Sequence, residues 1–164
     1  MALSFARAGI AASPSSLGRW LGEAGFDPAG AEAVGLRLAD FRRLHEAVVA
    51  VLGAVVAGGA PPPAAVERLN DASAAVPFAP RLTVVDGRPA ALDEPPHGDR
   101  ATDVLAAIAR SAIRLAGSGD AERLRRCPAC GTFFVTTRPD RIWCGASCGN
   151  RARVARHHAR RRGG

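Results

Sequence analysis

The longest amphipathic pattern of the chain runs from residue 34 to residue 55, where apolar residues recur every three or four positions. This spacing places apolar side chains on one face of an α-helix. The pattern ends at the Gly58-Gly59 pair, and glycine is a typical helix stop. We therefore expect one long core helix. Its buried face would comprise Val34, Leu38, Phe41, Leu44, Val48, Val51, Leu52 and Val55.

Three shorter segments, residues 16–25, 64–75 and 99–116, also have helical spacing. The apolar or small positions that share a face are Leu17, Trp20 and Leu21, then Val66, Leu69 and Ala72 or Ser73, then Val104, Leu105, Ile108, Ala112 or Ile113, and Leu115. The predicted N-caps are Ser15 or Ser16 for the first helix and Asp99 or Thr102 for the third, and the predicted stops are Gly25 and Gly117-Ser118-Gly119.

A β-hairpin is predicted between the second and third of these helices. Residues 81–85 alternate between apolar and polar types, and residues 88–92 form the returning strand. The Asp86-Gly87 dipeptide between them accepts the positive φ angles of a two-residue turn. Because a lone hairpin is not stable in water, we expect this one to pack on the helices. Residues 1–123 would then form a mostly helical α+β domain.

Charge is segregated along the chain. All 22 basic residues are arginines, as expected of a GC-rich bacterial genome. Residues 125–164 contain ten arginines and one acid, Asp140, for a net charge of +9, whereas residues 1–124 contain twelve arginines and fourteen acids, for −2. A near-neutral domain joined to a strongly basic tail is typical of a protein that binds a polyanion. The sequence contains no membrane span or signal peptide pattern, and we expect a cytoplasmic protein.

The same tail contains every cysteine of the chain, as Cys127-x2-Cys130 and Cys144-x3-Cys148. Two close pairs of thiolates suit tetrahedral zinc, so we predict one structural Zn²⁺ ion held by these four cysteines. Gly131 permits the tight turn after the first pair. A thioredoxin-like redox motif is the alternative, but it should open a helix after a strand, and here the cysteines precede a predicted hairpin. A disulfide pair is disfavoured in the cytoplasm.

The predicted order within this zinc module is knuckle, hairpin and helix, the treble-clef arrangement. The hairpin comprises a strand at 132–135, a turn at 136–141 and a returning strand at Ile142-Trp143. A helix beginning near Gly145 would carry both Cys144 and Cys148 on one face, with its positive N-terminus toward the thiolates. The aromatic residues Phe133, Phe134 and Trp143 are expected to form the small core of the module.

The helix that continues from the zinc module is rich in arginine. A helical wheel groups Cys144, Cys148, Ala152, Ala155 and Ala159 on a small-residue face expected to pack against the zinc core. The residues expected to meet nucleic acid are Arg151, Arg153, Arg156, His157, Arg160, Arg161 and Arg162. His158 is taken as a solvated residue or a phosphate donor. Gly149 and Asn150 are expected to support the zinc loop.

Other interpretations of the basic helix remain open. In the simplest interpretation, the basic helix is only a solvated surface. In two others, its arginines bind RNA or an acidic protein in place of DNA. A treble-clef nuclease would need a catalytic metal with an open coordination position and a general base. Four thiolates close the zinc site, and His157, His158 and Asp140 form no motif, so we expect a protein that is not an enzyme.

The stretch from Trp143 to Arg153 resembles the CGNR zinc-finger family, named for the run that here is Cys148-Gly149-Asn150-Arg151. The resemblance covers residues 124–162. The first 123 residues resemble the ABATE domain through Gly18–Gly25, the long helix and the Val85–Arg88 turn, although the family's opening strand is reduced here to residues 2–5. The resemblance implies a bacterial stress-responsive transcription regulator, with an N-terminal domain that senses an unidentified small-molecule ligand and a zinc finger that binds DNA.

Overall fold

The computed structural model describes residues 1–26, 37–77, 79–94 and 100–162. The helices are α1 (Ala2–Phe5), α2 (Pro14–Glu23), α3 (Leu38–Ala57), α4 (Pro63–Ala74), α5 (Arg100–Ala116) and α6 (Ala146–Arg162), with a 3-10 helix at Gly119–Arg123. The strands are β1 (Ala79–Val85), β2 (Arg88–Glu94), β3 (Leu124–Arg126) and β4 (Phe133–Val135). The predicted class, a mostly helical α+β protein with a small cysteine-rich C-terminal module, is confirmed.

Helix α3 is the predicted core helix. Its buried side chains are Phe41, Leu44, Ala47, Val48, Val51 and Leu52, which follow the predicted spacing. It ends where Gly58 adopts a left-handed conformation, with φ of 68°, that glycine accepts without steric cost. Val34, the first residue of the predicted pattern, lies outside the described residues.

The first residues of the chain form a helical turn and not a strand. Phe5 of α1 is fully buried, and its ring centroid lies 5.1 Å from that of Trp20. Trp20, Leu17 and Leu21 form the buried face of α2, as predicted. The N-cap of α2 is Ser13 and not Ser15 or Ser16, because Pro14 begins the helix and Ser16 makes reciprocal hydrogen bonds with Ser13 in a capping box.

Helices α4 and α5 cover α3 with fewer large side chains than predicted. In α4 the buried residues are Ala65 and Leu69, whereas Val66 is 37% exposed. In α5 Ala112 is fully buried and Ile113 is 36% exposed, which resolves the alternative left open by the sequence. Thr102 lies inside α5, where it accepts a hydrogen bond from Arg37, and the other predicted cap, Asp99, lies outside the described residues.

The β1–β2 hairpin has the predicted turn but not the predicted packing. Asp86 and Gly87 both have positive φ, and the antiparallel register pairs Val85 with Arg88. Among the described side chains of this hairpin, Leu82 is 81% exposed and Val84 is 68% exposed. The prediction that the hairpin packs on the helices is wrong for this part of it. The main core is instead completed by α1, α2 and the β3–β4 hairpin.

The β3–β4 hairpin connects the main core to the cysteine module. Leu124 of β3 and Phe133 of β4 are buried in the same cluster as the residues of α3 and α5. The Thr136 amide donates to the Arg123 carbonyl oxygen at 3.1 Å and extends the strand pairing by one bond. The first strands of the basic tail therefore belong to the packing of the helical part.

Candidate metal centre and basic helix

The first cysteine pair lies at the turn of the β3–β4 hairpin. Arg126 pairs with Phe133, and the Cys127 amide then donates to the Thr132 carbonyl oxygen at 2.9 Å. The chain reverses because Gly131, with φ of 72°, donates its amide proton to the Cys127 carbonyl oxygen at 2.8 Å. This left-handed conformation explains the glycine that was predicted to permit the turn.

The partner of β4 is β3, which precedes the knuckle, and not the predicted strand at Ile142-Trp143. That strand is absent from the described tail, and Ile142 is 54% exposed. The loop is held in another shape because Arg141 donates to the carbonyl oxygen of Trp143 at 3.0 Å and to that of Cys144. The Arg141 guanidinium also lies 5.4 Å from the ring centroid of Phe134.

The second cysteine pair lies at the N-terminus of α6. Cys144 stands two positions before the first helical residue, Ala146, and Cys148 lies in the first turn. The helix thus begins one residue after the predicted start near Gly145, and Cys144 lies just before it. The sulfurs of Cys144 and Cys148 are 3.7 Å apart, and the Gly149 amide donates to the Gly145 carbonyl oxygen at 3.2 Å to close the first turn. The positive end of α6 faces the sulfur cluster.

All four Sγ atoms lie within 4.8 Å of one another, and those of Cys130 and Cys144 are 3.5 Å apart. Four sulfurs about 2.3 Å from a common tetrahedral centre would be about 3.8 Å apart. The sulfurs that approach most closely are far beyond the disulfide bond length of about 2.05 Å, and all four cysteines are free thiols. The arrangement therefore matches a metal site, with Cys127 and Cys148 buried and Cys130 exposed.

The pKa values of the cysteine thiols are shifted in opposite directions when no cation is bound. The Thr132 hydroxyl beside Cys130 lowers the pKa of that thiol to about 6. Burial, together with the neighbouring thiols, raises the pKa of Cys144 to about 12. Four thiolates at these distances repel one another, and a divalent cation at their centre removes the repulsion by binding all four.

Several residues that support the cluster were not predicted from the sequence. Thr132 contacts Cys130, and Arg141 fixes the loop before Cys144. Arg126 lies over the Phe133 ring at 5.4 Å and donates to the Gly131 carbonyl oxygen at 3.3 Å. Their only signal in the sequence was proximity to the cysteines, and in an arginine-rich tail this does not separate a supporting arginine from a solvated one.

The predicted supporting residues Gly149 and Asn150 have different surroundings. A Cβ atom on Gly149 would lie 3.3 Å from Cδ1 of Trp143, so the glycine permits the indole to pack closely on α6. The Asn150 side chain makes another contact than the one expected, because its Oδ1 accepts a hydrogen bond from Arg153 at 3.0 Å. It thus lies along the helix surface and does not brace the loop.

Beyond its first turns, the described side chains of α6 are exposed to solvent. Ala155, predicted to pack against the metal module, is exposed, and Val154 is 55% exposed. The prediction of a packed small-residue face is therefore wrong at Ala155, although Ala152 is half-buried, because the metal module is too small to reach Ala155. The described side chains that are exposed are Arg151, Arg153, Val154, Ala155, Arg156, His158 and Arg161. The side chains of His157, Ala159, Arg160 and Arg162 lie outside the described set.

Two family models match the chain. The ABATE model, described as “Putative stress-induced transcription regulator”, matches residues 7–119, and the CGNR zinc finger model matches residues 123–161. The chain belongs to the ABATE family. The CGNR finger that follows its ABATE region contains all four cysteines and nearly all of α6. This order of the two regions confirms the resemblance noted in the sequence.

A search of the curated proteins found no match to this chain. The similarity to known proteins therefore rests on the two family models, in which a zinc-finger module follows a region ascribed to transcription regulation. Within the described residues, no helix is both long enough and apolar enough to cross a membrane.

Proposed function

We propose that this ABATE protein is a DNA-binding transcription regulator whose CGNR finger holds one structural zinc ion and presents α6 to a DNA duplex. The observation that supports this most is the exposure of α6. A helix anchored at the cysteine cluster displays arginines on every described side, and no acidic residue follows Asp140 in the chain. The proposal also holds that the ABATE region adjusts DNA binding in response to a small-molecule or stress signal.

Zinc is the ion that best fits the donor set. Four thiolates favour zinc or iron–sulfur chemistry, and a closed tetrahedral site on a knuckle and a helix start is typical of structural zinc. The ion would fill the centre of the Cys127, Cys130, Cys144 and Cys148 sulfurs and fix α6 relative to β4. Since protein ligands occupy all four positions, we assign the ion no catalytic role.

Duplex DNA fits α6 better than duplex RNA does. A helix with side chains is about 10–12 Å in diameter, and the major groove of B-DNA is about 12 Å wide. The major groove of A-form RNA is deep and too narrow for side chains to read. At about 1.5 Å per residue, the seventeen residues of α6 extend about 25 Å from the metal site, enough to lie along a groove.

The electrostatic term of binding gives a direct test. Each phosphate contact by an arginine releases condensed counterions, so the logarithm of affinity falls with the logarithm of salt concentration by about 0.9 per contact. Replacing Arg151, Arg156 and Arg161 with alanine removes three exposed charges while retaining helix propensity. We expect the slope to become shallower by two to three units, about 0.9 for each lost contact.

The matched control replaces Arg7, Arg19 and Arg114, three exposed arginines of the ABATE region, with alanine. It has the same change of net charge, and its slope should stay near that of the unmodified protein. Equal slopes for both triple variants would show that net charge alone is responsible and would contradict the proposal. Stronger binding to duplex RNA, or to a polyglutamate chain, than to duplex DNA at the same salt would also contradict it.

A further inference from the structure

A cavity of about 260 Å³ lies between α3, α4 and α5, on the ABATE part of the chain. Leu44, Leu105 and Ala72 supply its apolar wall, and Leu44 and Leu105 are themselves buried core residues. An engineered apolar cavity of about 150 Å³ is large enough to bind benzene. The ABATE cavity is therefore large enough for a small organic molecule but smaller than typical drug-sized pockets, which begin at about 300 Å³.

The rim of this cavity is charged, and its charges differ in how they are paired. Arg37 donates to Asp40 at 2.6 Å and to Thr102 at 2.9 Å, and Arg43 also donates to Asp40. Asp40 is thus held between two guanidinium groups. The side chains of Arg68 and Asp71, which lie on α4 at the same rim, make no hydrogen bond or ion pair in the part of the chain that the structure describes.

A second cavity of about 240 Å³ adjoins the first, and both are lined by Arg43 and Arg68. These two arginines project from different helices, α3 and α4, into the same space. The guanidinium donors of Arg43 that are not directed at Asp40, and those of Arg68, have no partner among the described residues. Two guanidinium groups above an apolar wall favour a ligand with a negatively charged head and an apolar body.

We propose that this cavity is a binding site for a small organic carboxylate, with the carboxylate held by Arg68 and Arg43 and its apolar body against Leu44 and Leu105. The inference rests on the proposed function in one respect only: the bound carboxylate would be the signal to which DNA binding responds. Binding itself does not require DNA. Asp71 lies at the same rim and repels an anion, so its removal should strengthen binding, whereas removal of Arg68 should weaken it.

The test uses the full chain with zinc bound and 4-methylpentanoate as the probe, followed by the methyl NMR signals of leucine. We expect saturable shifts of the Leu44 and Leu105 methyl signals in the millimolar range of the acid and none with the neutral 4-methylpentanamide. Arg68→Gln should weaken the affinity about tenfold or more, as expected for the loss of a charge-assisted hydrogen bond. Asp71→Asn should strengthen it, and Arg114→Gln, an exposed arginine outside the cavity, should leave it unchanged.

Three results would overturn the proposal. They are the absence of a saturable shift, equal shifts with the amide, and weaker binding of the acid by Asp71→Asn, which would mean that the Asp71 carboxylate supports binding and does not oppose it. DNA titrations on the same samples separate this inference from the proposed function. A chain that binds DNA but not the acid rejects only the carboxylate site, and a chain that binds the acid but not DNA rejects only the proposed function.

Discussion

Phe133 and Phe134 are consecutive in β4 and lie in two different cores. Phe133 is 3% exposed and packs in the main helical cluster, whereas Phe134 is 9% exposed and packs with Cys127 and Cys148. The alternation of side chains along a strand produces this division. One three-residue strand thus contacts both the ABATE core and the metal centre, and each phenylalanine contributes to only one of them.

Replacing either phenylalanine with alanine should affect mainly the core that it occupies. Phe133→Ala should lower the free energy of unfolding by about 3–5 kcal/mol while the protein retains its zinc, because it removes a large buried side chain from the main core. Phe134→Ala should lower the melting temperature less than Phe133→Ala does, and it should release zinc faster to a chromogenic chelator. Thermal melts and zinc-release rates measure the two effects, and identical profiles for the two variants would contradict the division.

Metal binding should order the tail beyond β4. Protein purified without added zinc should contain about one equivalent, since structural sites retain the ion tightly. Cys130→Ser should lose the ion and the ordered NMR signals of residues 136–162, while the helices α2 to α5 persist because their core contains no cysteine. Ser147→Ala, a change at an exposed position of the same site, is the control. A metal-free protein with a folded tail would contradict the zinc assignment.

Features that depend on a few adjacent residues could be predicted from the sequence. The four cysteines converge because each pair is separated by a short loop, and Asp86-Gly87 forms the expected turn because its φ angles are a local property. The core helix followed from the spacing of residues such as Phe41 and Leu52.

Features that depend on packing between distant parts of the chain could not be predicted from the sequence. The strand expected at Ile142-Trp143 is absent because β4 pairs with β3 and Arg141 holds the loop in another shape. Ala155 lies on a helical face that has nothing to pack against, which a helical wheel does not reveal. That residues 1–123 form a domain of their own stays a prediction, and the burial of Leu124 and Phe133 in the main core gives a physical reason to test whether they fold alone.

The ion pairs of Asp40 predict a pH-dependent contribution to stability. Hydrogen bonds from Arg37 hold the pKa of this carboxyl below its ordinary value of 3.8, with Arg43 adding to the effect and partial burial opposing it. A lowered pKa in the folded state stabilises the protein above pH 3.8, and this contribution is lost as the pH falls through the folded value.

Asp40→Asn should therefore lower the free energy of unfolding at neutral pH by about 0.5–1 kcal/mol, as for partly exposed ion pairs. The difference should shrink below pH 3.8 and vanish once Asp40 is protonated in the folded state. Urea denaturation midpoints at neutral and acidic pH measure it. Asp71→Asn, which removes a carboxylate without an ion pair, should leave the neutral midpoint nearly unchanged. A constant difference between wild type and Asp40→Asn at all pH values would contradict this account.

The exposed part of α6 should complete its folding on DNA. Isolated helices shorter than about 12–15 residues are marginal in water, and the ten residues 153–162 include no acidic residue to offset their positive charge. Arg156 and Arg160 are four positions apart, a spacing at which like charges destabilise a helix. Neutralisation by phosphates removes this repulsion, so we expect the helical circular dichroism signal at 222 nm to increase on addition of duplex DNA.

Ala155→Gly tests this coupling without changing charge. Glycine destabilises a helix by about 1 kcal/mol relative to alanine. If the helix must form on binding, the free energy of binding becomes weaker by the same amount, and the affinity for DNA falls about fivefold. A helix already fully formed in the free protein would show almost no loss. Ala155→Arg is the control for the fold: because Ala155 is exposed, this variant should keep its zinc and its melting temperature, whereas a packed position would not tolerate arginine. DNA binding measured by fluorescence anisotropy separates the outcomes, since tight binding with an unchanged dichroism signal and an unaffected Ala155→Gly variant would show that α6 is preformed.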